Sequence, residues 1–153
     1  MNAEAHYRAL EKMYLAAPIN SLFKPEITVS KEMAEIEIAV TELFFHSAGA
    51  VHGSVYFKML DDAAFFAANS IVTDFFVLTS SFTTYLTRPV AAGVMKSVGR
   101  VVSRGKSQII AEAVVRDGRG HEAGRGSGIF VRSSMPLTNA MGYGDGAAGK
   151  SLP

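Results

Sequence analysis

The sequence predicts an α+β fold in which one long helix is held inside a curved antiparallel sheet. Residues 54–69 are apolar on nearly every helical face, so this helix has to be surrounded. After Thr73-Asp74 the spacing changes to four runs of β-branched and aromatic residues, at 75–88, 94–104, 107–116 and 122–132. Strands joined by short turns pair antiparallel, and together they are the only available wrapper for the helix.

The other elements follow in order. An amphipathic helix is expected over 3–16, with Tyr7, Leu10, Tyr14 and Leu15 near one face and Pro18 and Asn20-Ser21 ending it. Residues 26–30 suit a short strand. Over 34–40, Ile36, Ile38 and Val40 alternate with Glu35 and Glu37. A loop from Phe44 to Gly53 leads into the apolar helix, which Ser54 is placed to cap. In the strand from Phe75, stopped by Pro89, alternation puts Phe76, Leu78, Phe82 and Leu86 on one side. Thr79, Ser81, Thr83 and Tyr85 fall on the other. Asp117-Gly118-Arg119-Gly120 signals a hairpin. The last strand carries Gly124, Gly126 and Gly128 on one face, which either softens an edge strand or admits close approach by another backbone or helix. From Ser133 onward Met, Gly, Ala, Ser and Asn dominate. One domain is expected over 1–133, with a flexible Gly-rich tail over 134–153.

Composition narrows the function. The 153 residues are 48% hydrophobic and 19% charged, which suits a globular chain with surface to bury in an oligomer. A net charge of +1 gives no electrostatic case for nucleic acid or a membrane surface. Zero cysteines exclude disulfides, thiolate zinc sites and a cysteine nucleophile. No apolar run is long enough to span a bilayer. Residues 1–14 lack the basic start and apolar block of a signal peptide, so a cytoplasmic location is expected. The histidines lack zinc-ligand spacing, and no metal is expected.

The chemistry concentrates around the start of the apolar helix. His46-Ser47-Ala48-Gly49-Ala50-Val51-His52-Gly53-Ser54 forms a glycine-bearing turn, and Asp61-Asp62 lie two helical turns further on. Free N–H groups at a helix start attract negative charge. A carboxylate on an apolar helix has a raised pKa unless it is hydrogen-bonded, which suits base catalysis; otherwise it faces solvent or pairs with a cation. Asp62 lies about 100° around the helix from Asp61, and Lys58, four residues earlier, can pair with it. Asp61 is therefore left for chemistry and Asp62 for structure.

Gly49-Ala50-Val51-His52-Gly53 with Asp61 nine residues after the histidine resembles the signature of the hotdog-fold acyl-CoA thioesterases, of the phenylacetate-pathway type. Tyr85-Leu86-Thr87-Arg88-Pro89, Arg104-Gly105-Lys106 and the turn Asp117-Gly118 before a Gly-rich strand resemble the family too, so the likeness covers roughly residues 34–132. It implies a hotdog fold and hydrolysis of an acyl-CoA thioester to free acid and coenzyme A, with no cofactor. It implies a homodimer that assembles into a homotetramer, with coenzyme A entering between subunits. Asp61 takes the place of the general base or nucleophile, and the Gly53 N–H that of the oxyanion donor. His46 stands where the family commonly has Asn, and Ser54 where a second glycine is frequent. His46 is a candidate to hold water, touch the carbonyl or act as a second base. His52 is expected to orient the loop beside the substrate, with Ser54 next to it. One hydroxyl among Thr79, Ser80 and Ser81 is a candidate to align water. Arg88, Arg104 and Lys106 are candidates for the coenzyme A phosphates, or else form a solvated face. Phe45, Tyr56, Phe57, Phe65 and Phe66 surround the motif and suit aryl or medium-chain acyl groups, or simply the core. A dehydratase or hydratase of acyl chains and a non-catalytic acyl-CoA binding module are the rival readings.

Overall fold

In the computed structural model, which describes residues 1–144, helix α1 (Ala3–Ala16) starts at Asn2, whose side-chain oxygen accepts from the Ala5 N–H at 2.8 Å. Its buried face is His6, Ala9, Leu10, Met13 and Tyr14: Leu10 and Tyr14 lie inside as expected, while Tyr7 is half-buried and Leu15 is 51% exposed. The face is turned toward His6, which is buried because both ring nitrogens find partners. Nδ1 meets the Tyr143 hydroxyl at 2.7 Å and Nε2 the Asn69 carbonyl at 3.0 Å. A short helix α2 (Asn20–Phe23) and strands β1 (Glu26–Ser30) and β2 (Met33–Ala39) follow. Ile36 and Ile38 are buried on β2, as their alternation requires.

The long helix α3 (Gly53–Asn69) packs against one face of a sheet completed by β3 (Phe75–Leu86), β4 (Val94–Arg104), β5 (Gln108–Arg116) and β6 (Glu122–Pro136). The strand order is β1-β2-β4-β5-β6-β3, with every pairing antiparallel. This is the hotdog arrangement. Met59, Leu60, Ala63 and Ala64 of α3 are fully buried against Ile36, Ile38, Met95, Ala111 and Phe130. Each large side chain so buried contributes about 1.5–3 kcal/mol. Small residues let the helix sit close: a Cβ on Gly99 of β4 would lie 2.2 Å from the carbonyl of Ala63. Asn69 turns the helix into the sheet. Its amide donates to the carbonyls of Val72 and Phe75, and its oxygen accepts from the Val77 N–H.

Strand β3 departs from its expected faces. The β3–β6 register shifts between Phe75 and Val77 and again between Thr79 and Ser81. A bulge moves every later side chain to the opposite face. Val77 and Thr79 therefore face inward while Leu78 is 42% exposed, and beyond the bulge Phe82 faces inward too. The Gly124/Gly126/Gly128 strand is no edge, since β6 lies between β5 and β3. What approaches closely is the Phe82 ring: Cβ atoms on Gly126 and Gly128 would lie 2.3 and 2.4 Å from it. Among the described residues the free edges are β1 and β3.

The C-terminal boundary falls later than 133. β6 runs to Pro136, and Tyr143 is packed at 7% exposure against His6. Of the expected tail, residues 134–144 are thus structured, and 145–153 lie outside the described residues.

Candidate active site

The start of α3 is built by the loop before it. Phe45 and Val51 pair across a tight turn in which the His46 N–H donates to the Ala50 carbonyl at 2.9 Å. The His52 N–H bonds the Phe44 carbonyl, and the Val51 N–H the Val90 carbonyl. His52 is the helix cap, in place of the expected Ser54: its Nδ1 accepts from the Ser54 N–H at 3.1 Å and lies 2.8 Å from the Ser54 hydroxyl. The helix begins one residue earlier than the alternation suggested, which leaves Ser54 inside it. The Val55 N–H is taken by the His52 carbonyl. Among the described residues, the Gly53 N–H has no acceptor, and it points from the positive end of a 17-residue helix.

From Gly53 a single face of α3 runs beside the inner face of β3, antiparallel to it. A side chain on Gly53 would touch Leu86, the Phe57 ring stands edge-on to Phe82 at 5.8 Å, and Asp61 Oδ1 accepts from the Thr79 hydroxyl at 2.8 Å. One turn beyond, Phe65 meets Phe76 and Phe130. Burial pushes the Asp61 pKa from 3.8 to about 6. The Thr79 bond pulls it down, the Asp62 charge pushes it up, and Lys58 pulls it down. β3 is an edge strand, so this seam lies at an unpaired side of the sheet.

The same helix separates the two key groups. Gly53 and Asp61 stand eight residues apart, about 12 Å along the axis. One carbonyl group cannot reach both in a single chain.

Asp62 pairs with Lys58 at 2.6 Å, as their spacing requires, and accepts a second bond from the Tyr14 hydroxyl at 2.9 Å. That second partner, on α1, was not legible in the sequence; the helical spacing of α1 shows that Tyr14 faces inward, but not what it meets.

The remaining candidates divide. His46 is exposed, and its Nδ1 accepts from the Ala48 N–H of its own turn at 3.1 Å. Of the hydroxyl trio, Thr79 meets Asp61; Ser80 occupies the bulge and is exposed, as is Ser81. Arg88 is exposed just past the β3 end near Gly53, its carbonyl held by the Tyr56 hydroxyl at 2.7 Å. Arg104 and Lys106 lie at the other end of the sheet. The register runs Arg104–Ile109–Phe130–Thr79 across four strands, while Leu86 aligns with Gly124, Val115 and Ser97. These rows are about 20 Å apart along the strands, so one chain does not gather the three cations. Arg104 is also engaged by Glu32. Among the described residues no three acidic or histidine side chains converge as a metal site.

The sequence profile of the thioesterase superfamily matches residues 48–123, from the turn before α3 to the start of β6. Solved structures share the fold. The PaaI protein of the Escherichia coli phenylacetic acid degradation operon superposes with a TM-score of 0.81 at 19% identity, covering 89% of this chain and 99% of its own. A phenylacetic acid degradation-related protein from Ralstonia eutropha gives 0.71 at 18% identity, covering 80% and 98%. A mutant thioesterase from Pseudomonas aeruginosa gives 0.71 at 12% identity, covering 81% and 90%. No curated protein matches the sequence. Gly49 to Gly53, the helix and β3 fall inside the matched segment, and the chain is a hotdog-fold member of the thioesterase superfamily.

Proposed function

We propose that this chain hydrolyses acyl-CoA thioesters to free acid and coenzyme A, at a site completed by two copies of the chain. The observation that carries this reading is the pair of groups on one face of α3. An Asp61 carboxylate with raised proton affinity and a Gly53 N–H that, among the described residues, has no acceptor share that face beside an edge strand, yet lie too far apart for one carbonyl. A second copy paired antiparallel along β3 reverses the order, bringing its Gly53 to the first copy's Asp61.

Thr79 holds one oxygen of Asp61, and the other is available to a water. A carboxylate with a pKa of about 6 is a competent base near neutral pH. It takes the water proton as the water oxygen bonds to the carbonyl carbon, and the proton passes to the sulfur as the C–S bond breaks. Direct attack by Asp61, forming an anhydride that water then opens, uses the same atoms; entry of solvent ¹⁸O into Asp61 in single turnovers separates the routes. In both, negative charge develops on the carbonyl oxygen, where a helix N–H of the second copy stabilises it. The reversed pairing also brings the Arg104 and Lys106 end of one copy to the Arg88 end of the other, where coenzyme A phosphates would enter. Phe57 and Phe82 beside Asp61, and Phe65 beyond it, suit an aryl or medium-chain acyl group. His46 lies on the exposed turn at the mouth of this route. Two such dimers joining as a tetramer is a further part of the reading, measured by sedimentation.

A panel of acyl-CoAs with a thiol reagent tests the activity. The wild type should release thiol, and Asp61→Ala should lose about 10²–10⁴-fold of it with unchanged circular dichroism and size. Undiminished turnover in that variant moves the base to Asp62 or His46. Loss of enoyl absorbance without thiol release supports a hydratase, and tight binding without turnover supports a binding module.

A further inference from the structure

Asp62 carries a charge that the proposed hydrolysis does not use. It follows Asp61 directly, yet its carboxylate turns toward α1. There Oδ2 accepts both the Tyr14 hydroxyl at 2.9 Å and the Lys58 ammonium at 2.6 Å. The Lys58 and Asp62 side chains are only 12% and 21% exposed. The ammonium also lies 5.2 Å from the centre of the Tyr14 ring and 5.1 Å from that of Phe23. Three helices thus enclose one ion pair. Such a pair contributes little net stability, because desolvation offsets the attraction. Its position relative to Asp61 is what distinguishes it: Lys58 is three residues before and Asp62 one after.

We propose that Lys58, Asp62 and Tyr14 form a positioning network for Asp61, which makes the N-terminal helix a working part of the active centre. The inference rests on the reading of Asp61 as the reacting carboxylate. The charged groups acting on Asp61 are Asp62, which favours its protonation, and Lys58, which opposes it. β3 brings only the uncharged Thr79, and the faces of β2, β4, β5 and β6 against α3 present uncharged residues such as Ile36, Ser97, Ala111 and Phe130. His6 of α1 bonds at the far end of α3, at Asn69. The two charges oppose each other while the pair is intact, the Asp62 influence being the larger. Tyr14 and Lys58 hold Asp62 on the α1 side, so the neighbouring carboxylates do not share a proton.

Lys58→Met, Lys58→Arg and Asp62→Asn test this in the full chain. Two readouts are taken: the acid limb of kcat/KM, and the ¹³C titration of the Asp61 carboxyl without substrate. Lys58→Met should move both to higher pH by about one unit, Lys58→Arg should restore them, and Asp62→Asn should move both down. Asp62→Asn keeps the side-chain size and an acceptor for Tyr14, so it carries the test alone if Lys58→Met does not fold. An Asp61 titration unmoved in Asp62→Asn and in any folded Lys58→Met overturns the network. A moved titration with an unmoved limb upholds the network and defeats the reading of Asp61 as the base.

Discussion

Asp61 is held between opposing influences, and each neighbour predicts a different change. Thr79 donates to its ionised form, so Thr79→Val should raise its proton affinity. The acid limb of kcat/KM should then move up by about one pH unit, the worth of one charge-assisted bond, so that the rate falls about tenfold well below pH 6 and about twofold at pH 7. Stability should respond in the opposite sense to activity. The folded pKa lies above the ordinary 3.8, so ionising Asp61 destabilises the fold, and that penalty is complete only above about pH 6. Asp61→Asn should raise Tm at pH 7.5, with the gain shrinking as pH falls through 6; thermal melts at both ends of that range check it. The Lys58–Asp62 pair was legible in the sequence, because residue type and helical spacing carry it, whereas the roles of Asp61 and Gly53 rest on the family resemblance and are proposals. Thr79 could not be told from Ser80 and Ser81, since only the bulge decides which hydroxyl faces the helix. The His52 cap was hidden for a similar reason: a ring nitrogen does there what a serine oxygen usually does.

At the scale of elements, the order helix, one or two strands, apolar helix and four strands followed from periodicity, and the structure has two strands before the apolar helix. The faces of β3 did not, because two register shifts break the period-two count on which they were assigned. The glycines of β6 marked a close approach, and what fills the space is the Phe82 ring over Gly126 and Gly128 together with the β3 backbone, whose Tyr85 carbonyl is nearest at Gly124. The closest approach to another backbone is at Gly99, which alternation alone gave no reason to single out. A methyl there would meet the Ala63 backbone, which cannot rotate away. Gly99→Ala should cost about 1–3 kcal/mol in denaturant unfolding. An unchanged midpoint would show that α3 sits further from β4 than described.

For the whole molecule, the decisive fact is that a rigid helix keeps Gly53 and Asp61 two turns apart while β3 leaves an edge unpaired. The sequence showed both groups and their spacing, but neither the edge position of β3 nor the end of the sheet at which each cation lies. A free strand of 12 residues invites pairing with its own copy. Two inactive variants can therefore complement each other. Gly53→Pro removes the N–H at the first helical position, where proline is tolerated, and Asp61→Ala removes the acid. When the two are unfolded and refolded together in equal amounts, half of the dimers are mixed, and each mixed dimer holds one site with both groups intact. Thiol release from acyl-CoA should return to about a quarter of the wild-type rate. A mixture as inactive as either variant alone, in dimers shown to have exchanged subunits, would mean that acid and N–H never act on the same carbonyl.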